Sequence, residues 1–596
     1  MKKQIFTKEL LPALTSVLLL NLGANLLRLY RYSYDAYTHI FFASHYMRDW
    51  FNLWETRWYC GFPVTSYPPL VHQLTALLGF LLGLEVSYQI ICIVAAVLLV
   101  FSLYKASSMF IDKAEAKHVA LTASLLPSLY LTLYVYGQLP TIFASALSFL
   151  CAYSFYNFLL TGKKEDLAYT TISATLTIAA HHFTFFFFLP LILILAVLMS
   201  MIKGGVSPKK ILGRLVIAFA FSAVTILVIM YPFFEFLMNA PPQVEIPHAS
   251  RGNIFSDIHS LLFFWGVYGF TVILFPIAFP ITRKRKELIP LLVVFLSLFI
   301  MGLGGLTPIP QLVLGELWHV LTYDRFAVWA SFLFTVFLGI ILKDAGQISE
   351  KYYGKSFPSV LKTSRNGLKI WLIIGLILST VFTMCLDSFV TPRPAPDPAL
   401  TKIAEFLENG GNYRYITFGL NQGFMKLTII CTKQAVDGGY NAARRIRVLM
   451  DSGVERIDTA IYFRENNQTF LDALLNQSDE LGIKWAIVNA GMDKNHLYFY
   501  NSSLEKHGYA LYEAFSKNET SGLEIKIWIN KNVTPIKEND SNGKFAVWET
   551  VVWSCGPILI LVSGLVLFAR KTARSNRQSG TRVGDNASAS YVELKR

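Results

Sequence analysis

Apolar residues in this chain fall in long unbroken runs, without the polar face that recurs along a soluble amphipathic helix. Crossing a hydrocarbon layer takes about 20 such residues. Runs of that kind occupy roughly 9–29, 86–104, 118–136, 139–160, 167–181, 183–202, 212–236, 259–281, 288–304, 322–342, 368–389 and 547–569, which predicts about twelve spans. Residues 69–84, "PLVHQLTALLGFLLGL", are also apolar but short, and a Pro-Pro pair opens them. That stretch is expected to lie on, or dip into, one membrane surface. Residues 36–55, "AYTHIFFASHYMRDWFNLWE", mix aromatic and polar positions at helical spacing, the pattern of an interfacial helix with its rings at headgroup level. The segment "WYCGFPVTSYPPL" (58–70) follows, and its prolines at 63, 68 and 69 predict a stiff corner.

Past Thr391 the pattern changes. "TPRPAPDPA" reads as a linker, and the composition up to about Lys544 is that of a soluble domain. "YRYITFG", "LTIICT", "KWAIVNA" and "LEIKIWIN" are expected as strands, and "LTKIAEFLENG" and "QTFLDALLNQSDELG" as helices, the latter with a Gly cap. The fold class expected is thus a polytopic α-helical membrane protein with an extracytoplasmic α/β domain. Its parts are a transmembrane domain over 1–390 with an outer loop at 30–85, the α/β domain at 391–545, and a last span with a basic tail at 546–596.

Composition supports the membrane class: of 596 residues, 54% are hydrophobic and 15% charged. The net charge of +14 would suit nucleic acid, but the basic residues cluster between apolar runs, so no nucleic-acid partner is expected and orientation explains them better. With a cytoplasmic N-terminus (Lys2, Lys3) and 69–84 not crossing, Lys105, Lys113, Lys117, Lys163, Lys164, Lys203, Lys209, Lys210, Arg214, "RKRK" at 283–286, Lys343 to Lys369 and the tail from Arg570 all fall inside. The loops near 137, 182 and 305–321 carry no Lys or Arg. This predicts a multi-pass protein of the cell membrane with both termini cytoplasmic and residues 391–545 outside. Sequons at Asn467, Asn476, Asn501, Asn518, Asn532 and Asn539 agree with that side. The first run lacks a small-residue cleavage site and is expected as a retained span rather than a signal peptide. Six scattered cysteines form no CxxC pair, which argues against a metal ribbon. Cys60 and Cys431 fall on the same side, where a disulfide between them would tie the first loop to the α/β domain.

Few charges lie inside the runs, which disfavours an ion-coupled carrier. Candidate chemistry gathers at the outer ends. Asp35, in "RYSYDAY", suits a general base on a hydroxyl or a divalent-metal ligand; it equally suits the cap of the following helix. Arg325, in "YDRF", can meet a lipid phosphate with its planar fork, or pair with Asp324, or snorkel. His181 and His182 sit at an outer turn, as interfacial packing or as neutral imidazoles for a sugar or phosphate. Glu55 and Arg57 either pair with each other or line the site. Tyr67 stands among the aromatics that would shape the mouth, and Gln138 lies in the "YVYGQLP" turn.

One span, an outer loop with an early Asp, an aromatic surface helix, "GFPVTSYPPL", and then "YGQLPTIFASAL", "HHFTFFFFLPL" and "YDRFAVWA" resemble the GT-C superfamily of membrane glycosyltransferases. The order is similar to the branch labelled 6-pyruvoyl-tetrahydropterin-synthase-related membrane proteins, over about residues 1–390. The resemblance implies a polyprenyl-phosphate-linked sugar as donor and a glycan, lipid or protein as acceptor. It also implies Asp35 as the catalytic or metal-binding acid and Arg325 at the carrier phosphate. The Asp-x-Asp and Asp-Glu pairs of related families are absent, as is a "WWDYG"-type motif. No residue is therefore assigned to a metal, although a divalent ion (Mg or Mn) stays open, and Asn-glycosylation is disfavoured. The competing readings are a non-catalytic flippase or exporter of lipid-linked glycans, and a membrane-anchored scaffold.

Overall fold

A computed structural model describes residues 8–255, 258–345, 365–390, 394–462, 467–536, 543 and 545–593. Lys2, Lys3, Asp257, much of the 343–369 loop, the linker residues 391–393 and Asn539 lie outside the described residues, and of Asn467 only the backbone is described.

Among the described residues, eight helices are long and apolar enough to cross a membrane, including Lys8–Leu26, Leu84–Ser107, Leu139–Thr161, Pro208–Ile229, Asp324–Asp344 and Val547–Ala573. The protein is a multi-pass membrane protein. Four expected spans are met by shorter or interrupted helices instead. Residues 118–136 break where Pro127 opens a new helix, giving Lys113–Ser124 and Pro127–Tyr134. Residues 259–281 divide into Ile258–Trp265, a 3-10 stretch Gly269–Ile277 that contains Pro276, and Ala278–Lys284. The other two, Lys164–Ala180 and Ile289–Gly302, are short. The apolar stretch after the Pro-Pro pair forms Leu70–Leu82, about 20 Å long at 1.5 Å per residue and so too short for a perpendicular crossing.

Contacts sort the connections into two ends. At one end, Lys203 Nζ donates to the Phe110 carbonyl (2.6 Å) and Arg214 Nη1 to that of Leu159 (2.6 Å). There too Glu115 meets Arg285 (2.9 Å) and Lys343 (3.3 Å), so the basic clusters from separate loops share one end. At the other, the Tyr34 amide donates to the Val135 carbonyl and Tyr323 N to Ser250 Oγ. The ring of Tyr67 lies against that of His182.

The first connection was expected at headgroup level, and here the structure differs. Helix Ala36–Arg48 is buried along almost its whole length, with Tyr37, Phe41, Phe42 and Tyr46 each 2% exposed or less. The α/β region covers it, so rings that looked interfacial are core. Strands β1 (Trp54–Glu55) and β2 (Phe62–Pro63) pair antiparallel and close the proline corner; Trp58 stacks on Phe41, centroids 3.5 Å apart.

The α/β region carries a four-stranded sheet of β3 (Arg414–Phe418), β4 (Ile483–Asn489), β5 (Ala510–Phe515) and β6 (Ile525–Ile529), ordered β3-β4-β6-β5. β3 and β4 are parallel, and β6 is antiparallel to both β4 and β5. Three expected strands are present, but "LTIICT" is the end of helix Gln422–Ile430. Phe424, Leu427 and Thr428 are buried on one helical face, and packing on the first connection overrides the β preference of Thr and Ile. Strand β5 and helix Lys494–Lys506 were not anticipated. Cys60 and Cys431 are both free thiols.

The region is anchored from several sides. Trp58 Nε1 donates to Thr428 Oγ1 (2.9 Å), Gln243 Nε2 to the Asn441 carbonyl (2.9 Å) and the Val244 amide to the Met450 carbonyl (2.8 Å). Asp397 is ion-paired to Arg31 and to Lys426, which also meets Glu85 at 2.6 Å. The last span is held by Trp50 Nε1 and Gln73 Nε2, both donating to the Ser554 carbonyl.

Candidate functional site

Asp35 stands at the first turn of the buried helix Ala36–Arg48. Its backbone is fixed by pairing with the "YVYGQLP" turn: the Tyr34 amide donates to Val135 O and the Asp35 amide to Tyr136 O, both at 3.0 Å. The turn approaches so closely that a Cβ on Gly137 (φ +73°) would sit 2.5 Å from the Ala36 nitrogen and 2.8 Å from that of Asp35. Only glycine fits. Although Asp35 occupies the cap position, its carboxylate makes no capping bond, and it has no side-chain hydrogen bond or ion pair within 4 Å among the described residues. The capping alternative is thereby excluded. The residue is half-buried. Burial pushes its pKa up to about 6, against the pull of Arg325 and Arg456 and with the help of Glu455 and Asp324.

Arg325 is the second residue of helix Asp324–Asp344. Its guanidinium lies over the Phe183 ring (4.9 Å) and donates to Thr322 Oγ1 (3.0 Å). It forms no ion pair with Asp324, and its Nε is buried without a hydrogen-bond partner among the described residues, as is Asp324 Oδ1. A permanent cation with unfilled donors, beside an unpartnered carboxylate, is suited to an anionic ligand.

Tyr67, at the end of the proline corner, is the hub of a ring cluster. Its centroid is 5.6 Å from His39, 5.2 Å from His72, 6.5 Å from His181 and 5.8 Å from His182, and 5.0 Å from Tyr440 of the α/β region. His39 Nδ1 and His72 Nε2 share a proton contact at 3.1 Å. Thr184 N–H donates to His181 Nδ1, which leaves Nε2 as the protonated nitrogen of a neutral ring. Burial, reinforced by Arg325, lowers the pKa of His181 and brings His39 and His182 to about 3. These imidazoles are therefore neutral hydrogen-bonding groups. They carry no positive charge.

The structure thus brings Asp35, Tyr67, His181, His182 and Arg325 together. Gln138 lies on the adjoining turn, its Oε1 accepting from Thr141 Oγ1 (3.4 Å). Glu55 and Arg57 are elsewhere. They form a closed pair, with Arg57 Nε to Oε1 at 2.9 Å and Nη2 to Oε2 at 2.6 Å, joined by His45 Nδ1 at 2.9 Å. Burial alone would raise the Glu55 carboxyl, but Arg57 and His45 hold it well below the usual range. His45 stands about 15 Å along the helix from Asp35. Arg57 Nη1 also donates to Ser44 Oγ and the Thr428 carbonyl, so the pair joins the first connection to the α/β region.

Sequence reasoning missed His248, Tyr440, Glu455 and Arg456. His248 bonds Ser250 Oγ (2.7 Å) and feels both Asp324 and Arg325. Glu455 and Arg456, in the α/β region, are near enough to act on the Asp35 carboxyl. No motif marks them, since they lie in an irregular stretch whose position depends on long-range docking. Asp35, Asp324, Glu455 and His248 are neighbours, yet no three His, Cys, Asp or Glu among the described residues stand close enough to hold a metal ion. The donor set does not fit the divalent ion left open above.

No family model and no curated protein matches the chain. Among solved structures, ArnT from Cupriavidus metallidurans bound to undecaprenyl phosphate is similar at TM-score 0.52 and 10% identity, over 87% of this chain and 98% of its own. The arabinofuranosyltransferase AftD from Mycobacteria gives 0.49 at 13% identity over 91% of this chain; this chain spans about 41% of AftD's length. The Archaeoglobus fulgidus oligosaccharyltransferase AglB, in complex with an inhibitory peptide and a dolichol-phosphate, gives 0.44 at 12% identity over 88% of this chain and 74% of its own. Nothing in these likenesses bears on the 6-pyruvoyl-tetrahydropterin-synthase-related branch. The bundle, with its long first connection and its α/β region, shares its fold with the ArnT structure.

Proposed function

We propose that the protein is a glycosyltransferase that moves a sugar from a polyprenyl-phosphate-type lipid carrier to an acceptor hydroxyl at the outer membrane face. The observation that carries this reading is the Asp35 carboxyl, without a side-chain partner among the described residues and with its pKa pushed up to about 6, within electrostatic reach of Arg325, whose buried Nε is unfilled. The GT-C fold and the likeness to an ArnT that binds undecaprenyl phosphate support the choice of donor.

In the reaction, the Asp35 carboxylate takes the proton of the acceptor O–H. The freed oxygen pair attacks the anomeric carbon, and the bond from that carbon to the phosphate oxygen breaks. The electron pair leaves with the phosphate, where Arg325 stabilises the developing charge. A base with a pKa near the working pH is well matched to this role. Tyr67 and the neutral His181 and His182 face the sugar and its hydroxyls. Glu55 and Arg57 serve docking of the α/β domain, which lies outside the cell and helps bind the acceptor. A transfer assay with purified protein and radiolabelled polyprenyl-phosphate sugars tests the reading. Transfer by wild type and its loss in Asp35→Asn is expected; a flippase or scaffold would show no transfer by either.

A further inference from the structure

Helix Gln422–Ile430 of the α/β region ends against the place where the chain enters the membrane. Lys426, on its second turn, is ion-paired to Glu85 (2.6 Å), in the first turn of the spanning helix Leu84–Ser107, and to Asp397 (3.0 Å). The Tyr30 hydroxyl donates to the same Glu85 carboxylate (2.6 Å). Beyond Lys426, the Ile429 carbonyl accepts from Arg48 Nη2 (3.3 Å). The end of the helix is therefore held from two sides.

Between these elements lies a cavity of about 310 Å³. Its walls are Tyr37 and Ile40 of the buried helix Ala36–Arg48, residues 82–86 at the corner into the span, and Ile429 and Ile430. The depth of the cavity follows from the chain. Leu84–Ser107 crosses the membrane, so its first turn marks the boundary at this end. Ile429 and Ile430 share the cavity with that turn and stand at the same level. Apolar surface continues on both sides. On helix Leu70–Leu82, Leu77, Phe80 and Leu81 fall at i, i+3 and i+4 and form one exposed stripe, Leu81 being 81% exposed. Leu82 and Val86 are exposed beside them, and across the cavity Ile430 is 41% exposed. Large apolar side chains massed in this way mark a surface that meets something other than water.

The cavity is separate from the cleft. Tyr37 and Ile40 face it, whereas His39 and Phe42, on other faces of the same helix, pack on Tyr67. A carrier with its phosphate in the cleft would hold its headgroup across that helix from the cavity, so a bulk lipid suits the cavity better than the carrier's tail.

We propose that this cavity takes an acyl chain of a bilayer phospholipid, and that the end of helix Gln422–Ile430 is immersed at the membrane boundary beside helix Leu70–Leu82. The α/β region then touches the bilayer directly, in addition to its contacts with the bundle. This holds whatever reaction the cleft performs.

The test uses the full chain in phosphatidylcholine nanodiscs, with a fluorescent amino acid in place of Ile430 in one variant and of Leu81 in another. Two quenchers are compared: phosphatidylcholine spin-labelled high on its acyl chain, and aqueous iodide. An apolar helix face at the boundary sits about 5–10 Å into the headgroup and acyl region. The lipid quencher should thus act at 430 with about half or more of its effect at 81, and iodide should quench little at either. Val86→Trp, which fills the rim of the cavity, should lower lipid quenching at 430 and leave that at 81. Thermal melting shows that each variant is folded. Strong iodide quenching at 430 without lipid quenching there overturns the inference, as does an absence of lipid quenching at both positions. Lipid quenching at 430 that Val86→Trp leaves unchanged overturns the cavity as the lipid's site. Loss of that quenching on adding undecaprenyl or dolichyl phosphate overturns the phospholipid and assigns the cavity to the carrier's tail. None of these readouts depends on sugar transfer, so the proposed function stands or falls separately.

Discussion

Substituting Asp35 by Asn tests the mechanism and the electrostatics together. The carboxyl moves from 3.8 to about 6, about two units, and at 1.36 kcal/mol per unit this is about 3 kcal/mol. Partial access to solvent makes that an upper bound. Two consequences have opposite signs. For activity, kcat/KM of wild type should climb about tenfold per pH unit below 6 and level off above it, as the base ionises. Asp35→Asn should lose about 10²–10⁴-fold, together with that limb of the profile. For stability, an acid whose folded pKa is raised costs the fold something once it is ionised. The cost is full above about pH 6, shrinks as pH falls and is gone below 3.8. At pH 8 Asp35→Asn should therefore melt above wild type, by the equivalent of at most about 3 kcal/mol, and at pH 4 the two should converge. Purified protein in micelles, with transfer rates and Trp-fluorescence melting across pH 4–8, gives both readouts. A profile flat from pH 5 to 8, or an active Asn variant, refutes the assignment of the base. A variant less stable than wild type at pH 8 refutes the desolvation argument.

Other substitutions separate binding from architecture. Arg325→Ala should raise KM for the lipid-linked donor by about tenfold or more, with Arg325→Lys intermediate because a point charge cannot donate the bidentate fork; steady-state kinetics with varied donor checks it. Arg57→Ala strands the buried Glu55 and should cost about 3–5 kcal/mol, seen as a large drop in melting temperature, whereas replacing both by apolar residues should recover much of the loss. Gly137→Ala puts a Cβ within 2.5 Å of the Ala36 nitrogen at a φ of +73°. It should displace Asp35 and lower kcat more than it lowers the melting temperature.

The large-scale organisation was legible because it depends on local signals. Eight of the twelve apolar runs form helices of spanning length among the described residues, and clustered Lys and Arg mark a shared end, found here in the meeting of Lys203, Arg214, Arg285 and Lys343 with their partners. Asp35 and Arg325 stood out because charges next to such runs are few. What failed was everything decided at a distance. The aromatic helix 36–48 has the composition of an interfacial anchor, and only the docking of the α/β region turns it into core. "LTIICT" has strand propensity, but a buried face formed by Phe424, Leu427 and Thr428 makes it a helix. Glu55 and Arg57 could have paired with each other or lined the site, and they pair, beyond the far end of the helix that starts at Asp35. Arg456, about 420 residues beyond Asp35 in the chain, left no pattern to read.

One physical cause sorts the groups of the cleft. Desolvation penalises whichever form is charged, so the same burial raises Asp35 and lowers His39, His181 and His182. The imidazoles are left neutral, and the carboxyl is left able to take or release a proton near neutrality. Guanidinium groups cannot escape in this way, because they do not lose their proton within proteins. Arg325 therefore keeps a full positive charge where Asp35 and the nearby histidines have been driven toward neutrality, and among the described residues its guanidinium donates to the Thr322 hydroxyl. A half-buried cation with no ion pair within 4 Å among the described residues is costly unless something pairs with it. In the proposed reaction that counter-ion is the carrier phosphate, and the neutral histidine wall beside it is left for the uncharged sugar. If Arg325 instead tolerated substitution by Met with transfer intact and melting raised, the charge would be a burden without a ligand, and this division of the cleft would be wrong.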